Sequence, residues 1–299
     1  MGDDPGWTPS DEPALAPDVA GGAFLAWRDS RGEIVVEHVD ASGLAIWPGP
    51  GLRRGRSPTS PQLAADGAGG ALLAWLDAEG PSALRIERRS ADGATLWEAR
   101  VEATAGASAG PTFRITTDGA GGAFLAWEEQ GVAGCCSIVA QHLDPQGAAT
   151  WGEAGGGLAL ADAAARGSLA VAEQDPGGLS VAFATGAGGP IVVHRLASDG
   201  QARGAPVVAA RAAATNGALA MAAGPGDGVV LAWATRDPAG VRAQQIDVAG
   251  RLAWTDDGAA VTDAAIAPPT SGWASTRRAG PPWPGRTPAT RAPTVPGTA

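Results

Sequence analysis

Seven residues, GGAFLAW, stand at 21–27 and again at 121–127, with GGALLAW at 69–75. Anchored on the aromatic that ends the motif, further copies follow at Phe183 (GGLSVAF) and Trp233 (DGVVLAW). Trp27, Trp75, Trp127, Phe183 and Trp233 are therefore spaced by 48, 52, 56 and 50 residues. This tandem period constrains the fold most, because a unit of about fifty residues cannot hide its own apolar surface and must bury it against its neighbours. Four copies carry a second signature, a turn followed by tryptophan: DASGLAIW at 40–47, SADGATLW at 90–97, DPQGAATW at 144–151 and DVAGRLAW at 247–254. The fourth copy has ASDGQARG there, with Gly204 in the tryptophan's place.

Within one unit, PQLAADGAGGALLAWLDAEGPSALRIERRSADGATLWEARVEA, four short apolar runs are separated by Gly, Asp and Pro. These read as four strands. The first ends at Asp66, and GAGG supplies residues that tolerate positive φ in a tight connection. The second, ALLAWLD, is apolar on both faces, as a strand covered from both sides must be. The third ends in a turn of Asp-or-Ser-x-x-Gly type, and the fourth carries the second tryptophan. Radial stacking of such units is a β-propeller, whereas an immunoglobulin array would need about seven strands and about 100 residues per unit. The expected fold is all-β, a propeller of four-stranded antiparallel blades at 13–59, 60–109, 110–164, 165–213 and 214–265. An acidic N-terminus at 1–12 and a tail at 266–299 lie outside it, both expected to be disordered unless the tail is frameshifted.

The pattern Asp-Gly-x-Gly-Gly-Ala-x-x-Ala-Trp, then IVAQHLD at 138–144, then Gly-x-x-x-Trp, resembles repeats of secreted bacterial β-propeller proteins that are poorly characterised. The resemblance covers 13–265, is specific to the repeat and is silent on activity. It implies an extracellular or cell-surface binding role with a protein or carbohydrate partner. The copy from 165 to 213 departs from it by lacking both tryptophans.

Composition narrows the chemistry. Basic residues number 21 against 31 acidic, a net charge of −10 that repels phosphate backbones and anionic lipid heads and argues against nucleic acid as a partner. All the basic residues are arginine and there is no tyrosine, so the chain offers no Schiff-base lysine, no Walker-type phosphate loop and no phenolic nucleophile. Lysine-free, tyrosine-free usage is what a GC-rich gene produces. SADGATLW loosely resembles the Asp-box of sialidases, but those enzymes need a tyrosine nucleophile, and that class is set aside. No run of 18 apolar residues spans a membrane. MGDDPGWTPSDEP carries acid where a signal peptide carries basic and then apolar residues, so no export signal is expected in the chain as written.

Candidate sites divide into repeated and unrepeated residues. Trp27, Trp75, Trp127, Trp233, Trp47, Trp97, Trp151 and Trp254 occupy the two repeat positions, which favours core packing over a sugar-stacking platform. Asp18, Asp66 and Asp118 recur before the Gly-rich turn, and Asp29, Asp77 and Glu129 recur two places after the tryptophan. A residue needed in every copy suits turn capping; the alternative is a glycan-active enzyme with a few such carboxylates gathered at the central channel. His38, His142 and His194 read as solvated strand residues at positions that elsewhere hold Arg, Glu or Gln, and no metal site is expected. The repeat does not explain Cys135 and Cys136, which lie in EEQGVAGCCS, where copy three is four residues longer than copy one. Insertions of this kind add binding surface, so Glu128, Glu129, Cys135 and Cys136 are the candidate binding residues. The vicinal cysteines fit either two thiols or a strained disulfide. No motif implies a cofactor, because the GAGG runs lead into strands rather than helices, and the balance favours a non-enzymatic binding or scaffold module.

The tail, IAPPTSGWASTRRAGPPWPGRTPATRAPTVPGTA, reads as a Pro/Thr/Arg-rich linker. Back-translated and regrouped as the third base of each codon plus the first two of the next, Arg278 to Thr290 can encode [SPTA]-G-G-A-A-[LMV]-A-W-[SPTA]-D-A-[RG]-D. That string is another second-strand motif. A frameshift between about residue 265 and 275 would make the parent a propeller of at least six blades; otherwise five blades close the ring.

Overall fold

The computed structural model describes residues 13–261, apart from 48–51, 57–58, 60, 78–82, 104–106, 132–133, 162–167, 175–176, 187, 212–214 and 237–238. The segments 1–12 and 266–299 lie outside the described residues. Five antiparallel four-stranded sheets follow one another along the chain. The first comprises β1 (Ala14–Pro17), β2 (Ala23–Arg28), β3 (Glu33–Val39) and β4 (Leu52–Arg56). The second comprises β5 (Gln62–Ala65), β6 (Ala71–Leu76), β7 (Ala83–Arg89) and β8 (Thr95–Glu102). The third holds β9 (Ser108–Thr117), β10 (Ala123–Gly131), β11 (Gly134–Leu143) and β12 (Leu158–Ala161). The fourth holds β13 (Leu169–Gln174), β14 (Gly178–Ala184), β15 (Ile191–Leu196) and β16 (Val207–Ala210), and the fifth β17 (Thr215–Ala223), β18 (Val229–Arg236), β19 (Ala239–Ile246) and β20 (Ala259–Ala260).

Each sheet is a simple meander, and the innermost strands β1, β5, β9, β13 and β17 touch in succession. The turn from first to second strand is shaped by one carboxylate. Asp18 Oδ1 accepts the N–H groups of Ala20 and Gly22 at 2.8 and 2.6 Å, and Asp66 and Asp118 repeat the arrangement with Ala68 and Gly70 and with Ala120 and Gly122. The second glycine of each pair is obligatory for a steric reason. A Cβ at Gly22, Gly70 or Gly122 would stand 2.1, 2.0 or 2.2 Å from the carbonyl oxygen of Val39, Arg89 or Leu143 on the third strand.

The second strands explain the double-sided apolar pattern, because alternate residues serve different neighbours. Phe24 and Ala26 point into a cluster shared with Ala71, Leu73 and Trp75 of the next sheet. Leu72, Ala74 and Leu76 in turn meet Ala123, Leu125 and Trp127. Phe124 and Ala126 meet Leu179, Val181 and Phe183, and Ala182 and Ala184 meet Val229, Leu231 and Trp233. Four seams thus join five blades, and among the described residues no apolar cluster joins the fifth blade to the first. A closed five-blade ring would require that fifth seam.

The fourth strand meets the expectation in the second blade, for which it was read, and differs in the others. Only β8 contains its tryptophan; in the first, third and fifth blades Trp47, Trp151 and Trp254 precede the strand, and just one bridge, such as Val39 to Ala45, links the segment to the third strand. In the third blade a buried glutamine holds this irregular backbone. Gln141 accepts from the N–H of Trp151 at 2.8 Å and donates to the carbonyls of Trp151 and Gly155 at 3.0 and 2.8 Å. Gln244 does the same in the fifth, accepting from the Trp254 N–H and donating to the Thr255 carbonyl. Ladder bonds lost to the inward turn of the tryptophan are thereby replaced.

Candidate functional site

The meander sorts the connections onto two faces. One face carries the tight first-to-second and third-to-fourth turns; the other carries the second-to-third hairpins and the links between blades. The hairpin face varies most, as loops on a repeated scaffold do when they add a surface. Here β10 and β11 run to 9 and 10 residues, against 6 and 7 for β2 and β3, and bulges interrupt their register beside Glu129.

This long hairpin contains the unrepeated candidates. The backbone of Cys135 and Cys136 lies in β11, with Cys135 opposite Gln130; their side chains are outside the described residues. Glu128 and Glu129 are 2% and 3% exposed, so they root the hairpin rather than display charge on it. Glu129 accepts from the Trp127 indole N–H at 3.0 Å. The other carboxylates at that repeat position tie down the same end of their blades. Asp29 accepts from the N–H groups of Arg31 and Glu33, both at 2.9 Å, and Asp77 pairs with Arg85 at 3.0 Å and Arg100 at 2.9 Å.

On the turn face, the second oxygen of each turn-capping aspartate is also engaged. Asp18 Oδ2 lies 2.8 Å from His38 Nε2, Asp118 Oδ2 lies 3.0 Å from His142 Nε2, and Asp66 Oδ2 lies 2.9 Å from Arg88 Nη2. His38 and His142 are therefore not solvated strand residues. His38 is 4% exposed, stacked on Phe24 with ring centroids 4.1 Å apart, and His142 lies 4.7 Å from Phe124. The sequence contained the signal, since Arg88 occupies the same place in the repeat opposite the same aspartate. Burial raises the Asp18 and Asp118 carboxyls, but the imidazole and the two turn N–H groups outweigh it, so both pKa values fall below the ordinary aspartate value. His194 is half-buried beside Phe183, and desolvation lowers its pKa.

Two further buried charges were not foreseen. Glu87, fully buried, joins the first and second blades by accepting from Arg54 Nε at 2.7 Å, with Thr95 at 2.8 Å and Arg89 also in contact; burial raises its pKa despite these donors. Arg195 fills the space left by the tryptophan missing at Gly204 and donates to the Val248 carbonyl at 2.6 Å. Of the eight repeat tryptophans, Trp47, Trp75, Trp97, Trp127, Trp151 and Trp233 are buried, Trp27 is half-buried and Trp254 is 41% exposed. Trp27 and Trp254 sit on the two blade faces that meet no other blade among the described residues. Among the described residues no three His, Cys, Asp or Glu side chains converge as metal ligands would.

No protein-family model matches the chain, and no curated protein matches it. Solved structures do. The fungal fucose-recognising lectin of Aleuria aurantia, a six-bladed propeller, aligns with a TM-score of 0.53 at 10% identity over 87% of this chain and 81% of its own. This chain is a β-propeller. Two catalytic proteins share the architecture. The Hadza microbial sialidase Hz136 aligns at a TM-score of 0.51 and 15% identity over 83% of the chain, which spans only 58% of that enzyme. The polysaccharide lyase Uly1 aligns at 0.51 and 9% identity over 85% of the chain and 68% of its own. At such identities the likeness is one of fold.

Proposed function

We propose that the protein is a non-enzymatic binding module, acting outside the cell or at its surface, that recognises a carbohydrate through the hairpin face of the propeller. The observation that carries this is the employment of the recurring carboxylates. Asp18, Asp66 and Asp118 each spend one oxygen on two turn N–H groups and the other on a His or Arg within the same blade. An acid and base pair for glycosidic chemistry needs two carboxyl groups facing one bond from opposite sides, and these are held in three separate blades by structural bonds. The variable hairpin of β10 and β11, with Cys135 and Cys136 at its end, is the part of the surface that the repeat does not dictate. That the same architecture serves a fucose-recognising lectin supports the ligand class.

A glycan array read for both retention and hydrolysis tests the proposal. Retention of a defined set of glycans without product is expected, and shortening the hairpin at 131–134 abolishes it. Release of a cleaved sugar would move the protein to the enzyme class; capture of proteins but of no glycan would keep the module and change its ligand.

A further inference from the structure

The open seam can be read against the four closed ones. In three of those, a tryptophan lies on the glycine of the next blade's third-to-fourth turn. Trp47 lies on Gly93, Trp97 on Gly147 and Trp151 on Gly200, so that a Cβ on the glycine would come within 3.1, 2.9 and 3.1 Å of the ring. The indole N–H then donates to a backbone carbonyl of that blade, at Ala91, Gly121 and Ser198, over 2.9, 3.4 and 2.9 Å. In the fourth seam Arg195 replaces the tryptophan above Gly250.

Two members of the series have no counterpart among the described residues. Trp254 is 41% exposed, and its indole N–H has no described acceptor. Gly43, with the same positive φ of 82° as Gly147, has nothing within 4 Å of the space a Cβ would fill. The second strands agree. Ala23, Leu25 and Trp27 on the leading face of the first blade are half-buried, where Ala123, Leu125 and Trp127 are buried. Val230 and Ala232 on the trailing face of the fifth are half-buried, where Phe124 and Ala126 are buried.

We propose that this gap takes one further four-stranded blade of the same template, with its turn glycine beneath Trp254 and its own tryptophan above Gly43. The occupant is encoded next to the fifth blade. In the shifted frame, codons 270–290 accommodate a first strand ending in an apolar residue and Asp, then Gly-Gly-Ala-Ala, an apolar residue, and Ala-Trp. The Asp, from codons 275 and 276, and the Trp, from codons 284 and 285, stand nine places apart, as do Asp18 and Trp27, Asp66 and Trp75, and Asp118 and Trp127. Direct contact of the fifth blade with the first would instead place Trp254 on Gly43, and both are open.

The gene gives the first test. Only TGG encodes tryptophan, so the Pro284 codon must be CCT, a rare choice in a GC-rich gene, and the Ser275 codon must end in G to give aspartate. Any other third base at either codon overturns the proposal. The second test inserts one nucleotide between codons 265 and 269, lets translation run to the stop of the shifted frame, and compares the effect of Trp254→Ala in the restored and the 299-residue chains. In the 299-residue chain the substitution is expected to leave Tm unchanged, and in the restored chain to lower it as far as Trp151→Ala does. A substitution silent in both chains, or a restored chain that melts below the original, overturns the proposal. So does a 299-residue chain in which Trp254→Ala is costly: light scattering then separates a monomer closed on itself from a dimer in which a second copy covers the face.

Discussion

Alanine at a turn glycine separates the seam contact from the turn itself. Gly43 and Gly147 occupy the same place in their blades with the same φ of 82°, so replacement by alanine imposes the same left-handed strain on each, about 1–2 kcal/mol. Their surroundings differ. At Gly43 the new methyl meets nothing within 4 Å, whereas at Gly147 it would stand 2.9 Å from Trp97 Cε3. That ring is 8% exposed and held between blades, so it cannot swing away without opening the second seam. Overpacking of this kind costs about 1–3 kcal/mol more. Gly43→Ala should therefore destabilise by about 1–2 kcal/mol and Gly147→Ala by about 2–5 kcal/mol. For a domain of this size each kcal/mol moves Tm by about 2–4 °C. Thermal melting followed by far-UV circular dichroism resolves such a difference, and urea titration gives the same ranking provided the m-values agree. Equal losses at the two positions would refute the reasoning, because the penalty would then belong to the turn alone.

Other outcomes follow from the same geometry. Trp151→Ala should cost about 3–5 kcal/mol, as expected for a buried aromatic, and Trp254→Ala well under about 1 kcal/mol as a surface change; paired melting curves check both. Gly204→Trp should lower Tm rather than restore the repeat, because Gly204 has a φ of 88° and Arg195 already fills the space. Asp18 and Asp118 have folded pKa values below their unfolded ones, so the stability they add is complete above the ordinary value of 3.8 and is lost as pH falls through the depressed values. Asp118→Asn should consequently lower Tm most near neutrality, and the gap to the parent should narrow as pH falls below 3.8. A constant gap across that range would assign the loss to the turn bonds alone.

Most of the fold was legible in the sequence because the repeat states its own rules. GGAFLAW encodes a turn whose second glycine abuts the third strand, followed by a strand whose alternate residues face different neighbours, and both features can be read from apolar residues without polar alternation. What escaped was pairing across the repeat. Asp18 and His38 are twenty residues apart and belong to different strands, so nothing local joins them until β2 is placed between β1 and β3. The fourth strand holds its tryptophan in the second blade, where β8 contains Trp97, but the same reading does not extend to the first and third blades: Trp47 and Trp151 leave the ladder, and in the third blade the buried hydrogen bonds of Gln141 take over the backbone.

The same distinction explains why the proposed binding surface is the least legible part. Residues that every blade needs are visible through repetition, and the structure uses them internally, down to both oxygens of the turn aspartates. A ligand contact belongs to one blade, so it has no repetition to reveal it, and length is its sequence trace. That trace singles out the β10–β11 hairpin, yet Glu128 and Glu129, its acidic residues, are buried at its root. Replacing Glu129 with alanine should accordingly weaken folding, because the Trp127 indole N–H loses its acceptor, before it alters glycan retention; the reverse order, lost retention at unchanged Tm, would mean that the carboxylate reaches the ligand.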